Sequence, residues 1–92
     1  MDGKLFFTSE GMADGRRVEV MTEHGRRAYR LLASFGRKSG LDGEYRLLAP
    51  VVGVAAAEVF CVVIDGGEAY VAKEDDPAVV SRILALYEKC RK

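Results

Sequence analysis

Residues 17–92 of this chain predict an α+β fold: a single antiparallel, strongly twisted β-sheet of about five strands in meander order, packed by one C-terminal α-helix over about 77–89. Three observations carry that prediction. Apolar and polar residues alternate at a period of two from Arg17 to Thr22 and again from Arg27 to Phe35, the signature of half-buried strands. Six consecutive apolar residues, Val59 to Ile64, have the length and β-propensity of a strand covered on both faces. Beyond Pro77 the apolar period changes to three and four, the spacing of an amphipathic helix.

Taken in order, residues 1–16 read as a short strand or flexible arm followed by a loop. Lys4 to Thr8 has the apolar content of an edge strand, and Ser9 to Gly15 has two glycines and no periodicity. In the first alternating run Val18 and Val20 share one face. His24-Gly25 then punctuates the chain, so the two runs form a hairpin. In the second run Tyr29, Leu31, Ala33 and Phe35 are expected on one common face, under the helix. Gly36 to Gly43 holds three glycines among polar residues and is the clearest loop. Glu44 to Ala49 is the next strand; Pro50, which lacks an amide hydrogen, ends it or lies at its rim.

Val51 to Ala57 reads as an irregular apolar connection, because Pro50 precedes it and Gly53 interrupts it. Glu58 to Asp65 follows as the doubly covered strand, with Asp65-Gly66-Gly67 as a hairpin turn into Glu68 to Lys73. Asp76 is placed to cap a helix that opens on Pro77, whose missing amide hydrogen loses no bond there. Val79, Val80, Ile83, Leu84 and Tyr87 form the stripe that should meet the sheet, widened by Leu86. The second face of Val59 to Ile64 needs cover from sheet curvature, from residues 51–57 or from a partner subunit.

The whole chain sets outer bounds. Ninety-two residues suit one core, which buries roughly two-thirds of the surface the unfolded chain exposes. Hydrophobic residues make up 49%, enough for folding, and Trp is absent, so Phe and Tyr are the large anchors. Fourteen basic residues balance fourteen acidic ones, which removes any net pull toward phosphate or anionic lipid and favours weak self-association. Cys61 and Cys90 are read as reduced thiols, and neither the N-terminal residues nor any apolar run has the form of a signal peptide or a membrane helix. The cytoplasm is the expected compartment.

No motif in the sequence names a chemistry. His24 is the only histidine and sits at a turn, so neither a zinc site nor a Ser–His or Cys–His pair is expected from Ser9, Ser34, Ser39, Ser81, Cys61 or Cys90. Glu74, Asp75 and Asp76 lack the spacing of a calcium loop and are read as helix-capping and solvated. Glu10, Asp14, Glu58 and Glu68 are the acids available to converge in space. Gly36-Arg37-Lys38-Ser39-Gly40 lacks the gap of a phosphate loop. With Arg26, Arg27 and Arg30 it can form a modest basic patch, though Tyr29 and Phe35 point inward rather than offering bases a stacking surface.

The stretches Arg17-Val-Glu-Val, Arg27-Ala-Tyr-Arg-Leu-Leu-Ala-Ser-Phe and Gly43-Glu-Tyr-Arg-Leu-Leu-Ala-Pro resemble those of the small, uncharacterised bacterial family of YrzB-like proteins. The resemblance spans Arg17 to Tyr87 and implies the same order of strands ending in an acid-led helix. The chain departs from that family in being neutral rather than acidic, and in carrying Gly36 to Asp42 and Val51 to Ala57 as extra segments. The family brings no agreed activity, cofactor or site.

The sequence thus leads to a small non-catalytic interaction or regulatory domain with no catalytic, cofactor or metal residue assigned. A protein partner or a second copy is expected at apolar surface near residues 51–64. A ligand-binding or enzymatic pocket between sheet and helix is the first alternative, and weak binding of single-stranded nucleic acid the second.

Overall fold

In the computed structural model, which describes residues 10–22, 24–52 and 56–91, the elements run β1 (Gly11–Met12), β2 (Arg17–Thr22), β3 (Gly25–Phe35), β4 (Tyr45–Pro50), β5 (Glu58–Asp65), β6 (Glu68–Lys73) and α1 (Pro77–Arg91). All strands pair antiparallel in one sheet. Its order is β1-β3-β4-β5-β6, with β2 beside β1 on the same edge of β3. The ladder does not close, so among the described residues its outer strands are β6 on one side and β2, with the short β1, on the other. The α+β meander with a terminal helix is therefore the observed architecture. The Asp65–Glu68 turn holds Gly66 and Gly67 at φ 60° and 81°, the pair of positive angles that a two-residue hairpin with native twist requires.

β3 departs from the expected pattern at one residue. Leu31 pairs with Leu48 but Ala33 with Leu47, so Leu32 is an extra residue in the ladder, a β-bulge. The insertion reverses which face the odd-numbered residues occupy. Tyr29 and Leu31 join Val18, Val20, Leu48, Phe60 and Ala69 in one core. Ala33 and Phe35 join Tyr45, Leu47, Val59 and Ile83 in another, on the opposite side of the sheet. The expectation of one common face from Tyr29 to Phe35 is thus corrected. Strict alternation cannot register an inserted residue, and only the partner strand shows it.

The helix covers the second core alone. Val79, Val80, Ile83, Leu86 and Tyr87 pack there, and Ile83 has no exposed surface. Leu84, placed on the buried stripe by periodicity, is 39% exposed and lies off the contact. Asp76 caps the helix as expected, its Oδ1 accepting the Ala78 amide at 3.0 Å. The first core is closed by curvature: the β2–β3 hairpin bends over β5–β6, and Tyr29 meets Phe60 edge to face at 5.3 Å between ring centres. That geometry adds about 0.5–1.5 kcal/mol to the area buried. Of the three covers considered for β5, the sheet's own bending supplies this one.

The N-terminal loop expected over Ser9 to Gly15 carries structure in its described part. β1 pairs with Ser34 and Ala33, and the Ala13 amide donates to the Leu32 carbonyl at 2.9 Å. A two-residue strand has no periodicity to read, so its pairing is a tertiary fact. Lys4 to Thr8 lies outside the described residues, as do Gly53 to Ala55 of the apolar connection. Of the described part of that connection, Val51, Val52 and Ala56 are exposed, and Ala57 is half-buried against the helix-side core. Among the described residues no helix is long and apolar enough to cross a membrane.

Two measurements check this layering. Ile83→Ala removes buried volume where helix and sheet interlock, and is expected to lower unfolding free energy by about 2–5 kcal/mol in denaturant titration. Tyr45, 8% exposed, has its hydroxyl donating to Asp42 Oδ1 at 3.0 Å. Burial, then the Asp42 hydrogen bond and charge, push its pKa up to about 12. Because this folded value lies above the ordinary value of about 10, the protonated form favours folding. That stabilisation is complete below about pH 10 and is lost as pH rises through about 12. Tyr45→Phe, which cannot ionise, should flatten the alkaline limb of the stability curve while costing about 1 kcal/mol at neutral pH.

Candidate functional site

Of the residues singled out by type, His24, Arg27 and Glu58 come to line one cleft, and the others disperse. Glu10 is a loop-fastening group: its carboxylate accepts from the Gly36 amide at 2.6 Å, the Lys38 amide at 2.9 Å and the Ser39 hydroxyl at 2.7 Å. Desolvation raises its pKa, but these donors outweigh it and hold the carboxyl below its ordinary value. Asp14 pairs with Arg16 at 3.4 Å, Glu58 with Lys73 at 3.0 Å, and Glu68 sits at the tight turn of the last hairpin. Among the described residues no cluster of three metal-ligating side chains forms. Cys61 and Cys90 are free thiols. Cys61 is half-buried and burial raises its pKa, the wrong direction for a nucleophile. His24 lies at the β2–β3 turn, with its amide donating to Thr22 Oγ1 at 3.2 Å.

The basic residues also disperse. Arg26 faces Glu19 at 3.9 Å, Arg30 lies opposite Arg17 across the hairpin, and Arg27 turns to the other face, over the Tyr29 ring at 5.5 Å. Arg37 and Lys38 sit on a 3-10 turn (Arg37–Ser39) beyond the far end of β3. Tyr29 and Phe35 are buried, at 1% and 2% exposed, and give nucleic-acid bases no ring face to stack on.

What the fold does create is a cleft of about 550 Å³ between the two hairpins. Val20, Met21 and Thr22 of β2 form one wall and Tyr70 to Lys73 of β6 the other, with Tyr29 and Phe60 at the floor. The volume is that of a small-ligand site, for which about 300–1,000 Å³ is typical. The pocket expected between sheet and helix is not where this cleft lies: Ala33, Leu47 and Ile83 fill that layer without exposed surface. The cleft opens on the opposite face, where the sheet bends but does not close.

Two of its charges pair with each other. Burial, followed by the charge of nearby Glu58, raises the pKa of Tyr29. Glu58 in turn holds Lys73, whose pKa is raised by that hydrogen bond and charge. Arg27 at the wall has the Tyr29 ring beneath it, and no described carboxylate pairs with it. Both strand walls are lined by consecutive residues, 20–22 and 70–73. A strand that meets a cleft with one face contributes alternate residues, so a consecutive run means that each presents its edge. Sequence reasoning named Glu58 and Arg27 but not their meeting place. The available signal was the count of strands, which leaves two outer edges whenever a meander stops short of closure.

One further polar group stands apart. Arg46 of β4 is fully buried; its Nη1 donates to the Tyr45 carbonyl at 2.8 Å and meets Glu44 at 3.3 Å, whereas Nε and Nη2 have no partner among the described residues. Desolvation lowers its pKa, with Glu44 opposing. No family model, no curated protein and no solved structure matches the chain.

Arg46 offers a test of which polar groups matter. Removing a buried charge that leaves donors unpaired is often neutral or stabilising when packing is kept. Arg46→Met is therefore expected to hold or raise unfolding free energy, by up to about 3 kcal/mol. Arg46→Ala, which also opens a cavity, should fall below Arg46→Met in the same denaturant series.

Proposed function

We propose that this protein is a non-catalytic binding module and that the cleft between the β2–β3 and β5–β6 hairpins is its binding site. One observation carries the reading: a cleft floored by Tyr29 and Phe60, in which Glu58 pairs with Lys73 and the pKa values of Tyr29 and Lys73 are both raised. A catalytic base or nucleophile works best with a pKa near the working pH, which for Lys or Tyr demands a lowered value. Tyr29 and Lys73 are both shifted upward. The arrangement suits holding a shape rather than moving a proton.

Residues 51–64, where a partner surface is expected, carry exposed apolar side chains and also contribute to the cleft. Val52 is 81% exposed at one end of that segment and Ile64 63% exposed at the other, while Val59 and Phe60 between them are buried. Phe60 instead lends its ring to the cleft floor. Kinship with YrzB-like proteins is part of the same proposal and adds no activity to it. The two free thiols fit a reducing compartment such as the cytoplasm.

The check is amide chemical-shift mapping of the labelled chain against a library of small aromatic and aliphatic fragments. Saturable shifts are expected first at Val20 to Thr22 and Tyr70 to Lys73. Fragments that shift only residues outside the cleft, or none at all, would defeat the reading.

A further inference from the structure

The two outer edges that border the cleft run in the same direction. Each pairing from β2 through β3, β4 and β5 to β6 is antiparallel, and four reversals return the chain to its starting sense. Closing the sheet directly would thus require a parallel pair. One extended strand running opposite to both edges would meet an antiparallel ladder on either side, the more stable pairing per residue.

The backbone groups that such a strand would meet can be named. The Val62 amide donates to the Glu44 carbonyl and the Glu74 amide to the Val59 carbonyl, which sets the phase of the β5–β6 ladder. Tyr70 and Ala72 therefore bond inward to β5, and Val71 and Lys73 turn N–H and C=O outward. On β2 the Leu31 amide donates to the Arg16 carbonyl, and the same phase leaves Glu19 and Met21 outward. Among the described residues neither edge has a further strand beside it.

Charge narrows the occupant. Lys73 and Glu58 neutralise one another at 3.0 Å, leaving Arg27 as the lining charge without a described counter-ion. It belongs to a hairpin whose residues 16–30 hold five arginines against two glutamates.

We propose that the cleft receives an extended, acidic-apolar peptide segment of another protein, antiparallel to β2 and β6 and hydrogen-bonded to the outward backbone of Val71 and Lys73. Its inward side chains rest on Tyr29 and Phe60, and a carboxylate meets Arg27. This is strand addition to an open edge, in which main-chain bonds give affinity and alternate side chains give selectivity. The proposal rests on the reading of the cleft as the binding site.

The test pans a displayed library of random peptides on the full chain, then follows hydrogen exchange of the labelled protein with the synthesised winner. Enriched peptides should alternate apolar residues and carry an acid. On binding, the Val71 and Lys73 amides should slow at least tenfold while Tyr70 and Ala72, already bonded to β5, stay unchanged. Val71→Pro deletes one outward N–H without breaking a bond to β5, and should weaken the peptide about tenfold. Arg27→Glu should weaken it similarly and be rescued by a peptide with lysine in place of the acid. Binding without that alternation in exchange, or no enriched peptide, overturns the proposal. So does alternation that appears without peptide as protein concentration rises, which hands the edge to a second copy. If fragments shift the cleft amides while no peptide protects Val71 and Lys73, the strand falls and the binding site stands; if neither occurs, both fall.

Discussion

The extra residue in β3 between Leu31 and Ala33 lets one strand serve two cores. Before it, side chains of β3 point into the curled side of the sheet, where Tyr29 meets Phe60. After it, Ala33 and Phe35 point to the helix side, where Ile83 seals the layer. A bulge also strengthens local twist and bends the strand that carries it. The same insertion therefore divides the apolar residues and coils the β2–β3 hairpin toward β5–β6. Without it, Tyr29 and Leu31 would compete for the area one helix can cover, and Phe60 would lose the hairpin that packs on it.

Most polar chemistry in the molecule is spent on holding this shape. Glu10, far from the loop in sequence, gathers two amides and a hydroxyl of residues 36–39 and so fixes the crossing from β3 to β4. A Cβ at Gly36 would lie 2.8 Å from Glu44 Oε1, so a side chain there would have to displace the Glu44 carboxylate. Glu58 pairs with Lys73 at 3.0 Å within the β5–β6 hairpin, near Tyr29 of the facing one. Arg46 is the exception, buried with Nε and Nη2 unpartnered among the described residues, the kind of group whose replacement by a well-packed apolar side chain is often neutral or stabilising.

An open edge is a hazard, since unpaired backbone groups recruit other strands. β2 manages it with Arg17 and Glu19, exposed charges that oppose flat stacking. β6 likewise carries an exposed charge at each end, Glu68 and Lys73. A meander of this strand count leaves a gap whose two sides are matched in direction.

The order of elements was legible in the sequence because it depends on local periods and breakers. Val18 and Val20 alternating, the unbroken Val59 to Ile64, Gly66-Gly67 and the Asp76-Pro77 helix start each act within a few residues. The identity of the faces was not legible beyond Leu32, since an inserted residue leaves no trace in a period-two pattern until a partner strand counts against it. Leu84 fell off its expected stripe for a related reason: spacing defines an arc of the helix, and the neighbours it meets decide which edge of that arc is covered. The cleft lay further out of reach. Tyr29, Glu58 and Lys73 are distant in sequence, and they meet because the sheet bends. By itself, then, the sequence determined which segments extend and which one coils, through interactions spanning a turn or less. The tertiary structure alone decided which side of each strand is inside, where the sheet stops, and what gathers at its unclosed seam, because those outcomes depend on long-range register and curvature.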